Sequence, residues 1–398
     1  MDFLIVLALS TLAVPGRANA NVSIAADGPT VAVAWAASAP GGATDIYAAT
    51  SADSARTFGA PVRVNDVDGD ARVSGEQPPR VALVPKEGSR PAIVVVWTAK
   101  GSAGTRLLQA RSDDGGRTFS RAAAVPGSDA AGNRGWEAIA VSDGRVDAVW
   151  LDHRDMAAGH EGHMSPQQSR LYFGPLDGRA AAHSVTTGVC YCCKTALAAA
   201  GDGSIYAAWR HVYPGNLRDI AFTSSRDGGR TFEPPIRVSE DHWMLDGCPD
   251  DGPAMAVDAK HRIHIVWPTL VQAENGEPTI ALFFATSTDG RRFSARQQVP
   301  TTGMPHHPQI AVRGDGTIAL AWDELKDGTR RAAVATATIG ANGKPTFADE
   351  KIVGEAPAIY PALAESSDAL VVAWTSGAPS NSTIAVERVA VRPGSTRR

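Results

Sequence analysis

Three of the chain's four cysteines fall within four positions, Cys190, Cys192 and Cys193 in "GVCYCCKTA", and the fourth, Cys248, lies in "DGCPDDGPA". Thiols in an even number suit disulfides, and four cysteines permit three pairings. Thiols beside imidazoles suit a transition metal, copper or zinc. The histidines are also gathered. "LDHRDMAAGHEGHM" carries His153, His160 and His163, "RHVY" carries His211, and "GMPHHP" carries His306 and His307. A second chemistry lies in the acids and the phenol. Glu137, Asp250, Asp251 and Tyr360 are candidates for proton transfer or nucleophilic attack. Arg154, Arg210 and Arg218, with Tyr213 and Asn216, are candidates for holding a substrate, because a guanidinium fork grips a carboxylate with two hydrogen bonds. Arg134 is a fourth candidate for such a clamp, and Asp152 a further available acid.

A repeat positions these residues. Seven short apolar strands end in tryptophan, at Trp35, Trp97, Trp150, Trp209, Trp267, Trp322 and Trp374, at intervals of 52 to 62 residues. Each is preceded by an alanine-rich strand such as "TALAAA" or "PAMAVD", and followed by a third strand such as "DIAFTSS". A fourth strand such as "PPIRVS" follows in most units. Many short strands at a long fixed period predict an all-β radial array of four-stranded antiparallel sheets. Seven blades are favoured, with six plus an irregular segment as the alternative, because the last unit shows only three strands. The tryptophans are expected to pack between blades.

The turn between third and fourth strands carries a motif. "SDDGGRTF" at 112–119 and "SRDGGRTF" at 225–232 fit S-x-D-x-G-x-T-F; "SADSARTF" at 51–58 has Ala55 for Gly, and "STDGRRF" at 287–293 is one residue short. Ser and Asp side chains can bond the turn's amides while Gly takes positive φ. These are Asp boxes, and over nearly the whole chain the sequence resembles the sialidase superfamily of Asp-box β-propellers. The resemblance implies an axial site with three arginines clamping a carboxylate, a tyrosine nucleophile activated by a glutamate, and an aspartate as acid/base. The family's Arg-Ile-Pro signature is absent; Arg80 in "PPRVAL" is only an echo of it. Tyr360 is the available nucleophile and Glu137 the available base.

Alternate connections of a four-stranded blade fall on opposite faces. The Asp-box turns therefore lie away from the segments that lead into the innermost strands, and those segments ring the axis in related propellers. The cysteines, His306, His307, Asp250, Asp251, Glu137 and Tyr360 all sit in such segments, so one face is expected to hold them together. Cys248 is placed to bridge to the neighbouring blade through Cys190, Cys192 or Cys193.

Composition narrows the partners. Charged residues are 20% and the net charge is −4, without the basic clustering of a nucleic-acid surface. The start, "MDFLIVLALSTLAVPGRANA", has an apolar run and a small-x-small site ending at Ala20, though no basic segment precedes it. The expectation is a leader over residues 1–20 and a single propeller domain over 21–398. The protein is then exported, periplasmic or secreted, with no membrane span after cleavage. The leading functional reading is a sialidase-like propeller whose axial face binds a glycan, with hydrolysis left open. The alternatives are a non-hydrolytic propeller with a Cys/His-rich copper, zinc or redox site on that face, and a disulfide-braced binding scaffold.

Overall fold

The computed structural model describes residues 4–156, 168–273, 276–340 and 342–391. They form seven antiparallel sheets in sequence order around one axis. The innermost strands are Ala18–Asp27, Arg80–Val84, Arg134–Ser142, Ala196–Ala199, Ala254–Val257, Met304–Val312 and Ala358–Glu365. Each pairs with the strand that carries the blade's tryptophan, Thr30–Ser38 in blade 1 through Leu370–Ser376 in blade 7. The count is seven, and the alternative of six is set aside.

The missing fourth strand of blade 7 comes from the other end of the chain. Leu4–Leu12 pairs antiparallel with Thr383–Val391, from Leu4 opposite Val391 to Leu12 opposite Ile384. The first and last segments thus close the ring in one sheet. This is the same apolar run that reads as a leader in the sequence. Just beyond it Asn19 is buried. Its Oδ1 accepts hydrogen bonds from Trp35 Nε1 at 3.0 Å and from the Val14 amide at 2.8 Å.

All seven strand-end tryptophans are buried, and each packs against the preceding blade. Trp97 meets Ala34, Ile46 and Ala48 of blade 1; Trp267 meets Ala208, Ile220 and Phe222 of blade 4; Trp35 meets Ala362 and Val371 of blade 7. Alanines on inner strands let seven sheets crowd the axis, and the indoles fill the wedge that opens outward. The indole nitrogens show a further pattern. In "WLD", "WRH" and "WDE" the residue two after Trp takes the indole proton: Asp152 at 3.0 Å, His211 at 3.3 Å and Glu324 at 3.3 Å.

The Asp boxes fold as their chemistry predicts. Ser112 Oγ donates to Asp114 Oδ1 at 2.8 Å, and Asp114 accepts from the Thr118 amide and hydroxyl at 3.0 and 2.7 Å. The boxes at Asp227 and Asp53 repeat this set. These hydrogen bonds hold each Asp far below the usual carboxylate range.

Candidate active site on the axial face

The inner strands of blades 1, 3, 6 and 7 break register at the same place, between Ala20 and Ser23, Gly135 and Ala138, His306 and Gln309, and Ile359 and Ala362. Each break holds a residue at positive φ: Asn21 at 59°, Trp136 at 52°, His307 at 52° and Tyr360 at 51°. None is glycine, so each bulge stores strain of about 1–3 kcal/mol. A bulge re-aims a side chain out of the strand's alternation. Here it delivers His307 and Tyr360 to the rim of an axial cavity of about 190 Å³.

Four side chains define that rim: Glu76, Lys194, His307 and Tyr360. Tyr360 lies flat on Gly75, where an added Cβ would stand 2.0 Å from the ring's Cζ. The ring also packs against the His307 imidazole, tilted by 34° at a centroid distance of 4.0 Å. Asp323 organises both residues. Its Oδ2 lies 2.7 Å from His307 Nδ1 and accepts the Tyr360 backbone amide at 2.7 Å; Arg330 pairs with the other oxygen at 2.5 Å. Asp251 holds the preceding turn through His306 Nδ1 at 3.0 Å and the His307 amide at 3.2 Å. Across the rim, Glu76 Oε2 accepts the Gly252 amide at 3.1 Å, and Oε1 lies 3.6 Å from Lys194 Nζ. Lys194 also donates to the Pro308 carbonyl at 2.8 Å, so one ammonium ties blades 2, 4 and 6 together.

The electrostatics follow from this crowding. Burial pushes the Glu76 carboxyl up, with Lys194 and His307 opposing. Burial, then the charges of Glu76, Asp250 and Asp323, push the Tyr360 phenol up to about 12. Burial also raises Asp250. For His307, burial works against the cation, but the hydrogen bond and charge of Asp323 outweigh it and raise the imidazole. Asp323 is lowered in turn: burial opposes, and the His307 contact wins.

Of the residues expected on this face, Tyr360, Asp250, Asp251, His306 and His307 come together. The arginines do not form a clamp. Arg134 is buried against Asp152 at 3.2 Å and caps the carbonyls of Ala130, Ala131 and Gly132. Arg154 pairs with Asp152 at 2.7 Å and lies over Tyr172. Arg210 donates to the carbonyls of Asp251, Arg218 and Pro268 at 2.7 to 3.0 Å. Arg218 reaches Cys190 Sγ at 3.2 Å. Tyr213 is sandwiched by His211 and Arg237, and Asn216 donates to the Leu245 carbonyl at 2.7 Å.

Glu137 is wholly buried and accepts the Thr98 hydroxyl at 3.0 Å, which places it in a network under the rim. Burial pushes His153 and His211 down to about 4, so both are neutral imidazoles at neutral pH. His160 and His163 lie outside the described residues. Glu76, Lys194 and Asp323 escaped the sequence reading. Glu76 stands in "SGEQPP", Lys194 directly after Cys193 and Asp323 directly after Trp322, but no motif marks any of them.

The expected Cys/His rim separates into two groups. Cys192 and Cys248 form a disulfide that joins the segments leading into blades 4 and 5, while Cys190 and Cys193 are free and buried. The sulfurs of Cys190, Cys192 and Cys193 lie within 4.8 Å of one another, and so do ligand atoms of Asp251, His306 and His307. The second group is already internally bonded through Asp251.

No family model matches the chain, and no curated protein does. Among solved structures, the fold is similar to a polysaccharide lyase of family PL25, an ulvan lyase bound to -[GlcA(1-4)Rha3S]-, with TM-score 0.61, 12% identity and 94% of each chain covered. It is also similar to an α-L-arabinanase of Penicillium chrysogenum complexed with arabinobiose, with TM-score 0.52, 14% identity and 98% of each chain covered. A third is the NanB sialidase of Streptococcus pneumoniae, with TM-score 0.50, 9% identity, and 81% of this chain and 68% of that one covered. At these identities the likeness is one of fold: the chain is a seven-bladed β-propeller whose structural neighbours include a sialidase and other glycan-active propellers.

Proposed function

We propose that the axial rim is a glycan-processing site in which Tyr360 is the group that meets the sugar. The observation that supports this is the close, tilted packing of Tyr360 against His307, both fixed by Asp323 and lining the cavity with Glu76. A neutral phenol can attack a cationic anomeric centre without charge repulsion. In this reading the Tyr360 oxygen bonds to the anomeric carbon and the glycosidic C–O bond breaks. Glu76, whose raised carboxyl makes it a stronger base, takes the phenol proton. Asp250, raised and exposed, protonates the leaving oxygen, then deprotonates the water that releases the sugar. Glu76 takes the place that the sequence reading gave to Glu137.

The substrate is a glycan held without an arginine fork, since the four candidate arginines are bonded within the protein. Lys194 and Arg80 are the cations lining the cavity. The leader-like run and the disulfide support action outside the cytoplasm. The mass of the mature chain distinguishes a leader cut after Ala20 from a retained edge strand.

A panel of neutral and acidic oligosaccharides, assayed for binding by calorimetry and for cleavage by new reducing ends, tests the proposal. Cleavage that Tyr360→Phe and Glu76→Gln abolish, with binding retained, supports it. Binding without any cleavage reduces the site to a lectin-like one. No binding across the panel sinks the glycan reading.

A further inference from the structure

The sulfur cluster adjoins the proton-transfer residues, since the Asp251 backbone hydrogen-bonds the Cys193 thiol, but it has its own chemistry. Its members run from buried to exposed. Cys190 and Cys193 are within 2% of full burial, Cys192 is 9% exposed, and Cys248 faces solvent. Cys190 Sγ stands 3.4 Å from Cys193 Sγ and 3.7 Å from Cys192 Sγ. Four sulfurs bound at about 2.3 Å around a tetrahedral ion stand about 3.8 Å apart, so these contacts are close to ligand spacing without rearrangement of the backbone. Among the described residues, neither an imidazole nor a carboxylate belongs to the group. His211, bridged to Val189 beside the cluster, is engaged by Trp209 and Tyr213.

A buried cation decides between a metal site and a second disulfide. Arg218 is 4% exposed, its Nη1 donates to Cys190 Sγ at 3.2 Å, and its Nε is buried without a partner. It pairs with no carboxylate among the described residues. A Cys190–Cys193 disulfide is neutral and would leave this guanidinium without a counter-charge, which is costly in a buried setting. Thiolates supply that charge, and a monovalent ion bound to three of them leaves a net negative centre for Arg218 to neutralise. Thiolate donors without nitrogen or oxygen select soft ions.

We propose that Cys190, Cys192 and Cys193, with Cys248 as a releasable fourth sulfur, form a redox-gated binding site for one Cu(I) ion. In the disulfide state Cys192 is withheld. An external dithiol opens the site: its thiolate attacks the exposed Cys248 Sγ and expels the Cys192 thiolate, and its second thiol resolves the mixed disulfide. The reductant leaves oxidised, and Cys192 and Cys248 are left as thiols. Cu(I) then displaces the thiol protons and stays one-electron-inert in the buried pocket. The inference is independent of the glycan reading, because no residue proposed to meet the sugar is a ligand.

The test uses the full chain, reduced anaerobically with a dithiol, freed of reductant, and titrated with Cu(I) against a chromophoric Cu(I) chelator. One equivalent bound after reduction, and little before it, is the expected result, with a copper K-edge spectrum showing sulfur neighbours alone. Cys193→Ser should lose the bound copper, whereas Cys248→Ser should bind without prior reduction. The spectrum of the wild-type protein keeps the test decisive if Cys193→Ser does not fold. Failure to take up copper when four thiols are counted overturns the site. Retention of zinc in preference to Cu(I), or nitrogen and oxygen neighbours in the spectrum, overturns the soft-ion assignment.

Discussion

Asp323 Oδ2 lies 2.7 Å from His307 Nδ1 and accepts the Tyr360 amide at the same distance, so one carboxylate sets both the imidazole and the backbone of the phenol. This pair has a signature in pH. The folded pKa of His307 is raised above 6.5, so its stabilisation is complete below about 6.5 and is lost as pH rises through the raised value. The folded pKa of Asp323 is below 3.8, so its stabilisation is complete above about 3.8 and is lost as pH falls through the lowered value. Asp323→Asn should remove both limbs. Melting temperature followed across pH, with the His307 imidazole titrated by NMR, checks this. A His307 pKa that stays raised in Asp323→Asn would show that another charge sets it.

Gly75 is the seat of Tyr360. With a Cβ 2.0 Å from the ring's Cζ, Gly75→Ala forces the phenol to swing away. Displacement of a reacting group by an ångström or so costs on the order of 10²-fold in rate. Turnover of whichever glycan the panel identifies should fall by that order, with a far-ultraviolet spectrum like wild type. Unchanged turnover would remove Tyr360 from the reaction.

In the first Asp box Ala55 holds the position that Gly116 and Gly229 hold in the others, and it does so at φ 61°. An alanine there carries a left-handed cost that glycine does not. Ala55→Gly is expected to raise stability by up to about 1 kcal/mol despite glycine's looser unfolded state. Urea unfolding measures it, and a destabilised variant would mean that the Ala55 methyl, buried against blade 7, is worth more than the strain.

Closure of the ring predicts a large penalty at the N-terminus. Asn19→Ala leaves the buried Trp35 Nε1 and the Val14 amide without their acceptor, a loss of about 1–3 kcal/mol. Deletion of residues 1–17 also strips the edge from Thr383–Val391 and should promote association of the chain through that open strand. Chemical denaturation and sedimentation report the two effects. A truncated chain as stable and monomeric as the full one would show that blade 7 stands on three strands.

The sequence by itself determined the blades, because their causes are local. A tryptophan at the end of each second strand, alanines on the first, and Ser-x-Asp boxes at the third turn each act over a few residues, and their repetition favoured seven sheets over six; the count was settled when Leu4–Leu12 supplied the fourth strand of blade 7. Face assignment followed from the alternation of connections, which put Tyr360, His306, His307, Asp250, Asp251 and all four cysteines in the segments leading into inner strands. Only the tertiary structure decided which of them meet. Glu76, Lys194 and Asp323 act through partners in other blades, distant in the chain, and no spacing encodes such a contact. The arginines looked like a clamp on the linear map, yet burial made them bond the nearest carbonyls, carboxylate and sulfur. Cys192 rather than its neighbours reaches Cys248, while Cys190 and Cys193 stay buried, because two blades distant in the chain set the placement of each thiol and the letters "CYCC" do not.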